Sequence, residues 1–378
     1  MILPFAGTSI YRARLERVSD RILVIDWYKQ TGTELRVIDL SSDTATRPSD
    51  GMRLAMSRAE VGDEQLREDP TVNALQELVA ELTGKEAGLF LPSGTMCNII
   101  APAIHCNRGD SVILDRYSHI VTAEGGSSAF IAQVMLRTLI GERGIFTADQ
   151  VRGELMTEGT HTSKTRMVSV ENTTNRGGGK FWTLEALESV RAVADEAGMA
   201  LHMDGARLMN AVIAGGYQAR DAAAFADSVW VDLSKGLGAP VGAVLCGTSD
   251  FIAEARLLKH RLGGAMRQAG VIAAAGLYAF EHNVERLAED HENARLLEAG
   301  IATIDGLEPI FGPAETNIVF FDVSKSGKSA NDICAAMARE GVRMAQYPDP
   351  TKIRAVTHLD VSRADCEKAV RVLRQVVA

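Results

Sequence analysis

Six short runs constrain the fold of this chain more than any other feature: AGLFL (87–91), SVILD (111–115), VMLRT (134–138), RMVSV (166–170), MALHMD (199–204) and VWVDL (229–233). Most are apolar throughout instead of alternating, which suits strands buried on both faces. Several of the stretches between them read as helices. Over residues 71–83, Val72, Leu75, Leu78, Val79 and Leu82 recur at helical spacing, with Asp69-Pro70 in front and Gly84 behind, the signals of a capped amphipathic helix. Further helices are expected up to about His105 and over 184–197. Strands alternating with helices predict an α/β fold with a mostly parallel central sheet wrapped by helices.

After a long helical stretch over about 268–299 the pattern changes. NIVFFDV, a helix near 330–340, VRMA, KIRAVTH and a final helix from Arg363 predict a small C-terminal α+β domain. The expected division is an N-terminal extension at 1–36, a large domain at 37–290 and a small domain at 291–378. A chain of 378 residues with 46% hydrophobic content has the apolar material for such a body. Its net charge of −9 argues against a nucleic-acid or anionic-membrane surface, because both reward clustered Lys and Arg. Small molecules are the expected partners. Five cysteines without CxxC spacing fit reduced thiols in a cytoplasm and suggest no zinc site. The N-terminus has no basic region followed by a long apolar core, and RILVIDWY is too short to span a bilayer. A cytoplasmic protein is expected.

The chemistry is concentrated where apolar runs end. MALHM is followed by Asp204 and Arg207, and VWVDL by Ser234-Lys235 and a glycine-rich turn. In a parallel sheet these residues fall at the carboxyl edge, where ligands bind. A lysine flanked by Leu233, Leu237, Pro240 and Val241 has the apolar setting that lowers an amine's pKa and lets it condense with an aldehyde. An aspartate can hold a pyridine nitrogen protonated. Together they predict a pyridoxal 5'-phosphate (PLP) site and an enzyme of amino acids. Ser93-Gly94-Thr95 lies between a strand and a helix, where free N–H groups and hydroxyls favour a phosphate. The same pattern is also that of an ordinary N-cap. His119 has a ring able to stack on a planar cofactor, with Glu124 five residues on. His161, in EGTHTSKT, reads either as a loop residue reaching a substrate hydroxyl or as a solvated histidine. Arg354 comes from the small domain and is suited to a substrate carboxylate, although many such arginines are surface residues.

IDLSSDTATRPS, AEVGDEQLREDPTVNALQ, PSGTMCN, DRYSHI, ENTTNRGGG, HMDGAR, LSKGLGAPVG, GGAMRQAG and IRAVTHLDVS, in that order, resemble the threonine aldolases, fold-type-I PLP enzymes. The resemblance runs from about Val37 to the C-terminus. It implies that Lys235 carries the cofactor, Asp204 pairs with its ring nitrogen and Arg207 lies by its phenolic oxygen and the substrate carboxylate. It further implies that Ser93, Gly94 and Thr95 bind phosphate, and that Ser42 and Arg354 hold the carboxylate. His119 matches the stacking histidine and His161 a loop histidine close to the substrate's β-hydroxyl. Arg267 matches an arginine supplied to a neighbouring subunit's phosphate, which implies a homodimer or homotetramer.

The implied reaction is cleavage of L-β-hydroxy-α-amino acids to glycine and an aldehyde, with His119, His161 or a water between them as base. The chain departs from the family pattern at Leu66, Arg67, Cys97, Thr174, His260 and Ala265. These departures keep open an alternative, a PLP-dependent β-eliminating lyase acting on another β-substituted amino acid.

Overall fold

The computed structural model describes residues 36–157, 159–347 and 349–378. The expected extension at 1–36 lies, Arg36 apart, outside the described residues. Asp39–Ala378 forms one compact unit.

The apolar runs become strands β1 (Ala87–Leu91), β2 (Ser111–Asp115), β3 (Met135–Leu139), β4 (Thr165–Glu171), β5 (Ala200–Gly205) and β6 (Ser228–Asp232). A seventh strand, β7 (Ala243–Gly247), sits in the sheet order β1-β7-β6-β5-β4-β2-β3. Strands β6, β5, β4, β2 and β3 are parallel, whereas β7 runs antiparallel to both β6 and β1. Two reversals return β1 to the direction of the parallel set, so its carboxyl end opens on the same edge as theirs. Sequence reading missed β7 because AVLCG is bracketed by glycines and merges with the turn that follows Lys235.

Helices α1 (Asp50–Ser57), α2 (Pro70–Thr83), α3 (Gly94–His105), α4 (Leu184–Glu196), α5 (Leu208–Gly215) and α6 (Ser249–Arg261) surround the sheet. Asp69 caps α2 by accepting from the Val72 amide at 3.0 Å, with Pro70 at the first position and Gly84 left-handed at the end, as its sequence signals require. The predicted long helical stretch is two helices, α7 (Gly270–His282) and α8 (Leu287–Ile301). Asn283, at the break, donates from Nδ2 to the Leu237 carbonyl at 2.7 Å and so ties the break to the loop after Lys235.

The C-terminal part carries a four-stranded antiparallel sheet of β8 (Glu308–Pro309), β9 (Ile318–Asp322), β10 (Ala345–Gln346) and β11 (Lys352–Val356), in the order β10-β11-β9-β8. Helices α9 (Ala330–Arg339) and α10 (Arg363–Val377) accompany it. The segment after Asp39 is stitched to this part, because Leu40 donates to the Arg343 carbonyl at 2.8 Å and accepts from the Val356 amide at 2.8 Å. Among the described residues no helix is long and apolar enough to cross a membrane.

One buried ion pair holds the turn before α2 against α6. Lys259 is 1% and Glu64 3% exposed, and Lys259 Nζ bonds to Glu64 Oε1. The other Glu64 oxygen accepts the Met266 amide at 3.0 Å. Removing one partner of such a pair strands a charge in the interior. Lys259→Met is expected to lower unfolding free energy by roughly 3–5 kcal/mol in urea titrations; a loss below about 1 kcal/mol would contradict this account.

Candidate active site

Four strands of the parallel set end in carboxylates on one edge: Asp115 on β2, Glu171 on β4, Asp204 near the end of β5 and Asp232 on β6. Each is largely buried, so each needs donors. Asp115 takes the Tyr117 amide at 2.7 Å and the Gly141 amide at 2.8 Å. Asp232 organises the loop that carries Lys235. Its Oδ1 accepts from the Ser234 amide and hydroxyl at 2.7 and 2.8 Å, and its Oδ2 pairs with Lys235 Nζ. Gly238, at φ +78°, closes that loop by donating to the Lys235 carbonyl at 2.9 Å. The Lys235 side chain is 18% exposed, with Nζ 5.7 Å from the centre of the Trp230 ring.

Asp204 lies on the strand next to this loop, and its Oδ2 accepts from Asn98 Nδ2 at 2.7 Å. Burial pushes its carboxyl upward, against the opposing pull of Asn98, His119 and Lys235. A protonated pyridine nitrogen would supply a further positive partner for such a carboxylate. Asn98 comes from α3 and also donates to Glu124 Oε1 at 2.8 Å. That same oxygen meets His119 Nδ1 at 2.8 Å. The bond to Glu124 raises the His119 pKa despite burial, with Asp204 and Glu171 adding to it. Glu171 takes the His119 and Asn175 amides at 2.6 Å each. Burial, reinforced by the charge of Asp204, pushes Glu171 up to about 7.

The predicted phosphate-binding residues open α3. Ser93 is its N-cap, accepting from the Met96 amide at 3.2 Å, which leaves the N–H groups of the first turn at Gly94 and Thr95 without helical acceptors. Gly94 is required by its neighbour, since a Cβ there would stand 2.2 Å from the Trp230 ring. The helix start can therefore lie directly against Trp230, beside the Lys235 loop. A buried carboxylate, a nearby amine and a helix N-terminus on one sheet edge fit the three functional ends of PLP.

Beside this edge three chain segments meet. Arg207 follows β5 and grips Asp43 with two bonds, Nε to Oδ2 at 2.7 Å and Nη2 to Oδ1 at 2.8 Å. Burial acts to raise the Asp43 pKa, but the Arg207 charge and hydrogen bonds overcome it and hold the carboxyl well below its usual range. Ser42 is adjacent and caps the short turn Asp43–Ala45. Arg354, on β11, donates to Asn175 Oδ1 at 2.8 Å and to the Ser41 carbonyl at 3.0 Å. Both acceptors are neutral, and burial followed by the Arg207 charge lowers the Arg354 pKa. Arg354 therefore still has an unneutralised charge to offer an anion.

One expected site residue, His161, is not brought to this edge within the chain. His161 is exposed in the loop leading into β4, at the opposite end of that strand from Glu171. The six residue steps from Thr165 to Glu171 along β4 separate the two edges by roughly 20 Å. Arg267 is 63% exposed and pairs with Asp63 at 2.8 Å. Asn98 and Glu124 also belong to this hydrogen-bonded cluster. In the sequence Glu124 stands out only as a neighbour of His119, and Asn98 is a polar position inside an apolar helix. Among the departures, Cys97 is fully buried and Thr174 is buried with its hydroxyl 3.3 Å from the Lys180 carbonyl. Arg67 adopts φ +61°, a left-handed backbone in which glycine is more comfortable. Leu66 and His260 are exposed and Ala265 half-buried.

The family model described as beta-eliminating lyase matches residues 39–326. A probable low-specificity L-threonine aldolase 2 of Arabidopsis thaliana is 40% identical over 343 residues, covering 89% of this chain and 96% of that protein. The fold is shared with threonine aldolase of Leishmania major, at a TM-score of 0.78 and 21% identity over 90% of this chain and all of that one. It is shared also with a structure described as SPT with PLP, at a TM-score of 0.71 and 17% identity, covering 90% of this chain and 87% of that one.

Glu171 gives the site a pH signature. Its folded pKa near 7 lies above the ordinary glutamate value of 4.5, so the stability it contributes is complete below about pH 4.5 and is lost as pH rises through 7. In urea unfolding of the cofactor-free protein between about pH 5 and 8, wild type is expected to lose stability with rising pH more steeply than Glu171→Gln. Parallel slopes would contradict the raised pKa.

Proposed function

This chain belongs to the beta-eliminating lyase and threonine aldolase family, and from that premise we propose that it is a PLP-dependent carbon–carbon lyase cleaving L-β-hydroxy-α-amino acids to glycine and an aldehyde. The observation that carries the reading is one sheet edge bearing Lys235, Asp204 and the helix start at Ser93-Gly94-Thr95 together. PLP, when bound, supplies an electron-accepting ring conjugated to the substrate's Cα.

The chain's own residues do the rest. Lys235 Nζ would hold the cofactor aldehyde, and Asp204 would keep a proton on the ring nitrogen. Ser93, Gly94 and Thr95 would hold the phosphate, with His119 beside the ring. Arg354, with Ser42 and Arg207 beside it, would orient the substrate carboxylate and so select the Cα bond that reacts. We assign removal of the β-hydroxyl proton to His119, whose Nδ1 is occupied by Glu124 while its other nitrogen remains for exchange. His161 stands at the far edge of its own sheet and takes part only if another copy presents it. Arg267, exposed and paired with Asp63, fits a role toward a neighbouring subunit's phosphate. A homodimer or homotetramer in the cytoplasm is the corresponding assembly, each chain built of a large part at 37–290 and a small part at 291–378.

The test is product analysis of PLP-loaded protein with L-threonine, L-allo-threonine and phenylserine diastereomers. Glycine and the matching aldehyde are expected, and Lys235→Ala should lose about a thousandfold or more in turnover. Ammonia and a keto acid without glycine would replace this reading with β-elimination. Arg354→Ala should raise KM roughly 10- to 100-fold, as loss of a charge-assisted carboxylate contact does; an unchanged KM would remove Arg354 from the carboxylate site.

A further inference from the structure

Behind the cofactor position runs a buried polar chain that the reaction does not use directly. His105 Nε2 meets Ser228 Oγ at 2.8 Å, Ser228 Oγ meets His202 Nδ1 at 2.8 Å, and His202 Nε2 meets Asn98 Oδ1 at 3.3 Å. Trp230 Nε1 also reaches Asn98 Oδ1, at 2.8 Å. An indole N–H can only donate, so the Asn98 oxygen must face Trp230 and its NH2 must face Asp204 and Glu124. The same oxygen then requires His202 to donate from Nε2. His202 is fully buried and burial lowers its pKa to about 3, so it is neutral and its Nδ1 accepts from the Ser228 hydroxyl. Ser228 in turn accepts from His105 Nε2. Every hydrogen bond in the chain points the same way, toward the two carboxylates, and bonds aligned in this manner strengthen one another.

We propose that Asn98 is a positioning residue that joins Asp204 and the His119–Glu124 pair into one charge-coupled unit, with the His105–Ser228–His202 relay fixing its direction. One amide thus serves both the ring nitrogen's partner and the partner of the ring-covering imidazole, so the charge on one is felt at the other. The groups facing this unit are Glu171 at the end of β4, Asp204 on β5, Lys235 after β6, and Glu124 after the short turn that carries His119. The part of the proposal that concerns PLP rests on the functional reading above; the coupling itself does not.

The experiment follows the His119 imidazole titration by NMR in cofactor-free full-length protein. Asn98→Leu keeps the volume and removes both donated bonds, which leaves Glu124 less stabilised as an anion. The His119–Glu124 pair is then expected to hold its proton about one pH unit higher. His202→Gln, whose amide still donates to Asn98 Oδ1, should leave the titration where it is. After PLP loading, Asn98→Leu should lose roughly tenfold or more in kcat with KM little changed. If Asn98→Leu does not fold, Asn98→Ala is measured by the same criterion. An unmoved titration in a folded Asn98 variant would overturn the coupling, and a shift in His202→Gln as large as that in Asn98→Leu would overturn the relay's direction. Because the titration is read without cofactor, its failure differs from failure of the PLP reading, which would show as wild-type protein that takes up no PLP.

Discussion

A parallel sheet delivers its strand ends to one edge, and here four of those ends are buried carboxylates that must be neutralised or hydrogen-bonded. The structure answers differently at each. Asp115 is satisfied by backbone amides alone and Asp232 by the Lys235 loop. Asp204 takes the Ala206 amide on one oxygen at 3.0 Å and the Asn98 side-chain amide on the other at 2.7 Å. Glu171 has two amides and is pushed up to about 7. Burial raises the pKa values of Glu171 and Asp204, and both carboxylates act on the His119 imidazole.

The same edge depends on distant parts of the chain. Asp43 lies 164 positions before Arg207 in sequence and is its buried counter-ion, while Asn317, next to β9, donates to Asp43 at 3.1 Å. Thr46 donates to the Lys235 carbonyl at 2.9 Å. The early segment is therefore a clamp between the lysine loop and the C-terminal sheet, which also delivers Arg354. The same contacts that close the fold therefore hold Arg207 and Arg354 beside this edge.

Much of this was legible in the sequence because it is local. Continuous apolar runs marked the strands, Asp69-Pro70 and Gly84 marked the ends of α2, and the residues after MALHM and VWVDL marked the edge where Asp204 and Lys235 emerge. What was not legible depends on tertiary contact. The strand β7 is antiparallel between two neighbours, and its glycine borders disguise it as turn. Asn98 looks like a polar interruption of α3 until Trp230, His202, Glu124 and Asp204 converge on it. The role expected of His161 carried no geometric information, and the direction of β4 puts it at the opposite edge of the sheet.

The central claim is that Lys235 is the cofactor lysine of this edge. Loading the protein with PLP, reducing with borohydride and mapping peptides by mass spectrometry tests it directly. The account predicts a pyridoxyl group on the peptide containing Lys235 and on no other lysine peptide. A label confined to Lys259, Lys180 or another lysine, with Lys235 unmodified, would contradict it.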